Sequence, residues 1–71
     1  MISEKDFKLI VNKRIREELH PEDCVYCGGI HSLRCIGTAI QCDSLCCKDL
    51  VRDANRIMRE EMERYDVKEC D

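Results

Sequence analysis

The chain has 71 residues and a formal net charge of −3, and seven residues are cysteine while only three are aromatic. A domain this short buries only about 60% of its unfolded surface, so we expect a disulfide or metal staple to supplement the core. The 44% apolar content exceeds that of a disordered chain, and the 38% charged content leaves no apolar run of membrane-spanning length. The composition therefore predicts one small folded domain over residues 1–71, with no membrane association.

The first twenty residues alternate acids and bases and contain no apolar core of a signal peptide. We therefore expect a cytoplasmic protein whose thiols stay reduced and bind a metal, with disulfides as the alternative.

The same segment begins with a helix start signal. Ser3 is placed to cap the helix and Asp6 to complete a capping box, while Ile2 and Phe7 occupy the positions of a hydrophobic staple. Apolar residues then recur at steps of three and four up to Leu19, before a proline that disfavours helix continuation. The pattern predicts an amphipathic helix over 3–19.

The remaining sequence predicts a knuckle with a short hairpin and then a second helix. Residues 21–42 contain all three glycines and two short β-prone runs, with Gly37 at the expected turn. Asp43 or Ser44 is placed to cap a helix over 43–66, and residues 67–71 are expected to fray. The predicted fold is a small zinc-stabilised α+β domain with an N-terminal helix, a zinc knuckle with a β-hairpin, and a C-terminal helix.

Two cysteine pairs carry the strongest chemical signal. Cys24 and Cys27 form a Cys-x2-Cys pair followed by glycine, which is typical of a zinc knuckle. After fourteen intervening residues, Cys42 and Cys46 can face the same ion across the first turn of a helix, whose N-terminus favours thiolates. The spacing predicts one structural Zn²⁺ held by these four sulfurs.

Other thiols leave the ligand set open. Cys47 could replace Cys46, since neighbours at a helix start point about 100° apart and only one should bind. His31 and Cys35 offer a rival set with the first pair, similar to a retroviral-type knuckle shortened by one residue in each longer gap. In that case Cys42, Cys46, Cys47 and Cys70 become candidates for a second site. Cys35 could equally be a buried strand residue, and Cys70 is expected to be an exposed thiol.

Residues 24–50 resemble small bacterial and phage zinc fingers. The knuckle, the hairpin and the Cys-x3-Cys helix entry are similar to the treble-clef arrangement of YacG, a family of small gyrase-inhibiting zinc proteins that lacks the long N-terminal helix. Residues 29–42 are similar to the Gin anti-sigma factors, which have two residues in the second cysteine pair where this chain has three. Cys42 to Cys47 is similar to the Cys-Cys ending of the phage NinF family. These resemblances imply a treble-clef-like zinc fold and a small regulator that acts on a larger protein.

The histidines and the predicted ligands bear on catalysis. Neither histidine has the spacing of a hydrolase motif, and four thiolate ligands would leave no coordination position on the metal for a substrate. We therefore predict no enzymatic activity.

The net charge bears on the class of partner. Four thiolates bring four negative charges against two positive charges on the ion, so metal binding makes an already acidic chain more negative and disfavours nucleic-acid binding. We therefore expect a transcription-related or phage-type regulator that binds a partner protein.

Two surfaces are candidates for binding. The partner protein could contact Met58, Met62 and Tyr65 on the second helix, although methionines at helical spacing are more often core or the seam of a homodimer, which we also consider. The alternative function is a DNA- or RNA-binding finger that uses the basic cluster Lys13, Arg14 and Arg16 of the first helix.

Overall fold

Two helices enclose a short hairpin in the computed structural model, which describes residues 2–43 and 47–68. The elements in chain order are β1 (Ile2–Ser3), α1 (Glu4–Glu18), a 3₁₀ turn (Pro21–Asp23), β2 (Arg34–Cys35), β3 (Ile40–Gln41), α2 (Lys48–Arg64) and β4 (Val67–Lys68). The predicted α+β order of helix, antiparallel hairpin and helix is confirmed. The treble-clef arrangement stays a prediction.

Helix α1 begins and ends where its sequence signals place it. The Ser3 Oγ accepts a hydrogen bond from the Asp6 N–H at 3.1 Å, which satisfies one of the free donors of the first turn. After the cap residue Leu19, His20 adopts a left-handed conformation with φ of 49°, and Pro21 starts the 3₁₀ turn. The chain therefore reverses direction directly after α1.

Helix α2 begins later than the sequence predicted. Its N-cap is Cys47 and its first residue is Lys48, not a residue of the 43–44 region. The Asp43 Oδ2 accepts a hydrogen bond from the Ser32 N–H at 2.8 Å, which ties Asp43 to the segment that leads into the hairpin. Ser44, the other candidate cap, lies outside the described residues.

The hairpin forms with the predicted turn. Arg34 pairs with Gln41 and Cys35 with Ile40 in antiparallel register. Gly37 lies in the turn with φ of +137°, and a Cβ atom at this position would lie 2.7 Å from the Glu4 Oε1. Only glycine combines this backbone conformation with so close an approach of α1.

A second strand pair was not expected from the sequence. β1 and β4 pair in parallel, with Ile2 opposite Val67 and Ser3 opposite Lys68. The prediction of a frayed tail is therefore wrong for residues 67–68, whose backbone is held by the pairing. Residues 69–71, with Cys70, lie outside the described part of the chain.

The hydrophobic core lies between the facing stripes of the two helices and is closed by the hairpin. Its fully or nearly buried members are Phe7, Val11, Ile15, Leu19, Cys24, Leu33, Cys35, Leu50, Ala54, Ile57 and Met58. Met58 is thus a core residue with 7% exposure and not an available partner contact, while Met62 is 41% exposed and Tyr65 is partly buried. Among residues 2–43 and 47–68, no helix has the length and apolar character needed to cross a bilayer.

Arg14 links the polar edges of the two helices. Its guanidinium lies 2.6 Å from Glu18 on the same helix, 3.1 Å from Glu60 and 3.5 Å from the buried Glu61. The hydrogen bond to Glu18 and, against some burial, that to Glu60 raise the pKa of Arg14. Arg56 and Arg14 together lower the pKa of Glu60. Arg14 therefore joins the two helices through ion pairs. Its charge is neutralised by these carboxylates, so it is not available to the basic cluster predicted on α1.

Asn12 fastens the hairpin to α1. Its Oδ1 accepts from the Cys35 N–H at 2.7 Å and its Nδ2 donates to the Cys35 carbonyl at 3.0 Å. Cys35 is 2% exposed, so both backbone groups would lack partners without this side chain. One amide thus occupies the edge of β2 that β3 does not use.

We predict that Asn12→Ala lowers the free energy of unfolding by about 2 kcal/mol or more, because it leaves a buried donor and a buried acceptor unpaired. Urea denaturation at a fixed excess of zinc measures the loss. The control is Asn55→Ala, whose side chain bonds only the Val51 carbonyl within α2, and we expect it to change stability by less than about 0.5 kcal/mol. Equal losses in the two variants would contradict the role of Asn12.

Candidate metal centre

Four donor side chains from three segments converge at one end of the molecule. The thiol sulfurs of Cys24, Cys27 and Cys47 and a ring nitrogen of His31 all lie within 4.8 Å of one another. The Cys24 and Cys47 sulfurs are 3.6 Å apart, and the Cys27 sulfur is 3.1 Å from the His31 Nε2. Tetrahedral zinc would require about 3.8 Å between two sulfurs and about 3.5 Å between sulfur and nitrogen. The group can hold a metal ion after shifts of a few tenths of an ångström.

Backbone hydrogen bonds shape the knuckle that presents the first two sulfurs. The Cys24 N–H donates to the Gly29 carbonyl at 3.0 Å, and the Gly28 N–H donates back to the Cys24 carbonyl at 2.8 Å. Gly28 has φ of +73°, which permits the sharp turn after Cys27. Both sulfurs consequently point to the same side of the loop.

His31 joins the group because the chain leaving the knuckle is pinned to the 3₁₀ turn. Its N–H donates to the Pro21 carbonyl at 2.7 Å, and the residue is 6% exposed. The Nε2 faces the Cys27 sulfur, while Nδ1 is buried without a hydrogen-bond partner, 3.7 Å from the Asp43 Oδ1. A carboxylate on the far nitrogen is the usual orienting partner of a metal-binding histidine. Nε2 is therefore the nitrogen available to a metal.

The electrostatics of the Cys24 and Cys47 sulfurs favour a cation beside them. Burial opposes ionisation of Cys24, but hydrogen bonds from the Cys27 backbone, the neighbouring thiols and the Gly28 backbone outweigh it and lower the pKa of Cys24. At Cys47 the Leu50 N–H acts to lower the pKa, but burial and the adjacent Cys24 sulfur prevail and raise it. One thiolate thus suppresses the other, and a divalent cation would remove that repulsion.

The structure brings together part of the predicted ligand set. Cys24 and Cys27 are in the group, and they are joined by His31 and Cys47, which the sequence offered only as alternatives. Cys42 is not in it: this residue is disulfide-bonded and so has no thiolate to offer. The expectation that all thiols stay reduced does not hold at this position. Cys46 lies outside the described residues.

Cys35 also lies apart from the group. It is buried beneath the hairpin, where its thiol donates to the Gly37 carbonyl at 3.1 Å, and burial raises its pKa. The strand interpretation of Cys35 fits this position, whereas the shortened retroviral-type set would need it at the cluster. The signal that identifies the fourth ligand is the start of α2, because the cap residue is the one whose side chain turns back toward the knuckle.

Comparisons with known proteins identify no relative. No protein family model, no curated protein and no solved structure matches the chain. The likeness to the YacG, Gin and NinF families therefore rests on the cysteine pattern.

We predict that Cys47→Ser abolishes stoichiometric metal binding, whereas Cys35→Ser retains it. The serine hydroxyl at position 35 can keep the bond to the Gly37 carbonyl, but a hydroxyl is a poor zinc ligand at position 47. Native mass spectrometry measures the zinc content, and the charge-transfer spectrum of the Co²⁺ form reports three thiolates in the parent chain. Loss of metal in Cys35→Ser with retention in Cys47→Ser would refute the assignment.

A further prediction concerns Asp43. Removing its carboxylate in Asp43→Ala should weaken metal affinity by about 10–100-fold, because His31 loses its orienting partner. Competition with a chromophoric chelator measures the change. Asp23→Ala makes the same charge change at an exposed residue beside Cys24 and should shift affinity by less than about threefold. If the two variants weaken binding equally, the effect of Asp43 is one of charge alone.

Proposed function

We propose that this protein is a non-enzymatic module in which one structural zinc ion stabilises the fold and whose surface binds a partner protein. The observation that carries the proposal is the convergence of three sulfurs and one imidazole nitrogen within 4.8 Å from the knuckle, the following loop and the start of α2. A metal at this point would cross-link the knuckle, the following loop and the start of α2.

The donor set favours zinc in a structural role. Three thiolates and one imidazole form a common tetrahedral zinc site, whereas hard cations prefer oxygen ligands. Since the protein supplies all four ligands, no coordination position stays open for water or substrate. This supports a closed site and not a catalytic one.

The distribution of histidines supports the absence of enzymatic activity. Of the two histidines in the chain, His31 belongs to the ligand group, and His20 is exposed in the left-handed turn after α1. A cysteine nucleophile requires a positioned base, and the described residues place no such base beside a cysteine outside the ligand group.

A protein partner is favoured over nucleic acid. The chain carries −3, and three thiolates with one Zn²⁺ would lower the charge by one more. Arg14, the centre of the basic cluster on α1, is paired with three carboxylates. A small regulator that acts on a larger protein is the class implied by the sequence resemblance, and we propose a transcription-related or phage-type regulator in the cytoplasm. Self-association through the side of α2 that carries the exposed Met62 is a further form of protein binding.

The first experiment measures zinc content, metal-dependent folding and oligomeric state. Native mass spectrometry should show one Zn²⁺ per chain that a chelator removes, and circular dichroism should show loss of the fold with the metal. A disulfide between ligand cysteines, without bound zinc, would overturn the zinc assignment. The same spectra give the oligomeric state.

Partner class is tested by retention on heparin and on random duplex DNA across a salt gradient. We expect no retention at low salt, because phosphate neutralisation dominates nucleic-acid affinity. Affinity capture from the native host, with Cys47→Ser as the metal-free control, should recover a protein that depends on the folded module. Salt-dependent retention on DNA would favour the nucleic-acid alternative.

A further inference from the structure

A groove runs between the outer face of α1 and strand β2, on the side of α1 away from α2. It consists of two hollows of about 460 and 560 Å³ that share Leu9, Asn12 and Arg34 in their walls. Asn12 forms part of the floor, where its amide clamps Cys35. The clamp that fastens the hairpin thus also fixes the width of the groove.

The cations along this groove lack carboxylate partners. Lys5, Lys8, Arg16 and Arg34 line its walls, and none of them forms an ion pair within residues 2–43 and 47–68. Elsewhere on the molecule most arginines are engaged: Arg14 and the α2 arginines 52, 56 and 64 each lie within 4 Å of an aspartate or glutamate. With four cations against Glu22 and Asp23 in its walls, this groove of an acidic chain has an excess of positive charge.

Apolar side chains lie between these cations. Leu9 is 62% exposed and Ile36 is 46% exposed, on opposite walls of the same hollow. The combination of lysines around exposed aliphatic groups matches a segment that carries both carboxylates and an apolar side chain.

A long polyanion fits this groove less well. Glu22 and Asp23 line the end of the larger hollow, so a nucleic-acid strand following the groove would meet negative charge. The groove walls formed by the described residues also contain no Phe, Tyr or Trp ring on which a base could stack, and the imidazoles of His20 and His31 lie in the same hollow as these two acids. A short acidic peptide that also carries an apolar side chain complements both the cations and the aliphatic groups of the walls.

We propose that the α1–β2 groove binds an acidic segment of a partner protein, with carboxylates on Lys5, Lys8 and Arg34 and an apolar side chain between Leu9 and Ile36. The proposal deepens the proposed function, on which it rests in taking the partner to be a protein. The proposed partner surface therefore lies on α1 and not on α2, where the sequence predicted contacts at Met58, Met62 and Tyr65.

The test measures fluorescence anisotropy of a short labelled peptide in which aspartates and glutamates flank a central leucine and phenylalanine. The comparison probes are the same peptide with asparagine and glutamine in place of the acids, and labelled single-stranded and duplex DNA. The zinc-loaded chain should bind the acidic peptide at least about tenfold more tightly than the neutral peptide, with affinity falling as salt rises.

Two double variants locate the binding. The double variant Lys5→Glu with Lys8→Glu should bind the acidic peptide about tenfold more weakly than the parent chain. Lys48→Glu with Arg59→Glu makes the same change in net charge at exposed α2 residues that have no ion pair in the described part of the chain, and should change affinity by less than about twofold. Leu9→Ser should weaken binding with no change in net charge.

Zinc content and circular dichroism of every variant establish that it is folded. Equal loss in both double variants, equal binding of the neutral peptide, or tighter binding of either DNA would overturn the groove assignment. These results leave zinc stoichiometry and chelator-induced unfolding untouched, so the proposed zinc module fails or stands on its own measurements.

Discussion

The structure depends on bringing three sulfurs and one imidazole nitrogen within 4.8 Å of one another. This constraint fixes the sharp turn at Gly28, the seat of His31 against the Pro21 carbonyl and the point at which α2 begins. It is also the least self-sufficient part of the molecule, because ionisation of one sulfur raises the cost of ionising the next. The described residues form a small core of eleven buried apolar side chains, and a metal ion bound by the four donors would add stability at this corner.

Helix α1 has three different tasks along its circumference. One stripe, from Phe7 to Leu19, fills the core, and the edge at Arg14 joins α2 through carboxylates of both helices. The third side carries Asn12, which serves the hairpin backbone, and beside it the exposed lysines. A helix used in this way tolerates little rotation about its axis, since any turn that improves one contact weakens the other two.

Local signals made much of the fold predictable. Ser3 and the proline after α1 mark the first helix, and Gly37 marks the hairpin turn, because caps and positive φ values have short-range sequence signatures. Ligand choice was only half predictable. The Cys-x2-Cys-Gly knuckle is local, but the approach of Cys47 to it depends on α2 beginning at Lys48, a boundary that the competing cap signal at Asp43 leaves open in the sequence. The β1–β4 pairing could not be predicted from the sequence pattern, because strands of two residues are too short to show an alternation of apolar and polar residues.

The pairing of β1 with β4 has a consequence for the order in which the chain folds. Its partners lie at opposite ends of the described chain, so it closes the longest loop in the molecule, whereas the knuckle, hairpin and helices form from neighbours in sequence. The free-energy cost of closing a loop rises by roughly 0.6 kcal/mol with each doubling of loop length. Contacts of large sequence separation therefore form late in folding. During synthesis Ile2 must wait for Asp66, whose carbonyl accepts its N–H at 2.9 Å, to leave the ribosome. Until then the Ser3 cap is the local hydrogen bond that stabilises the start of α1.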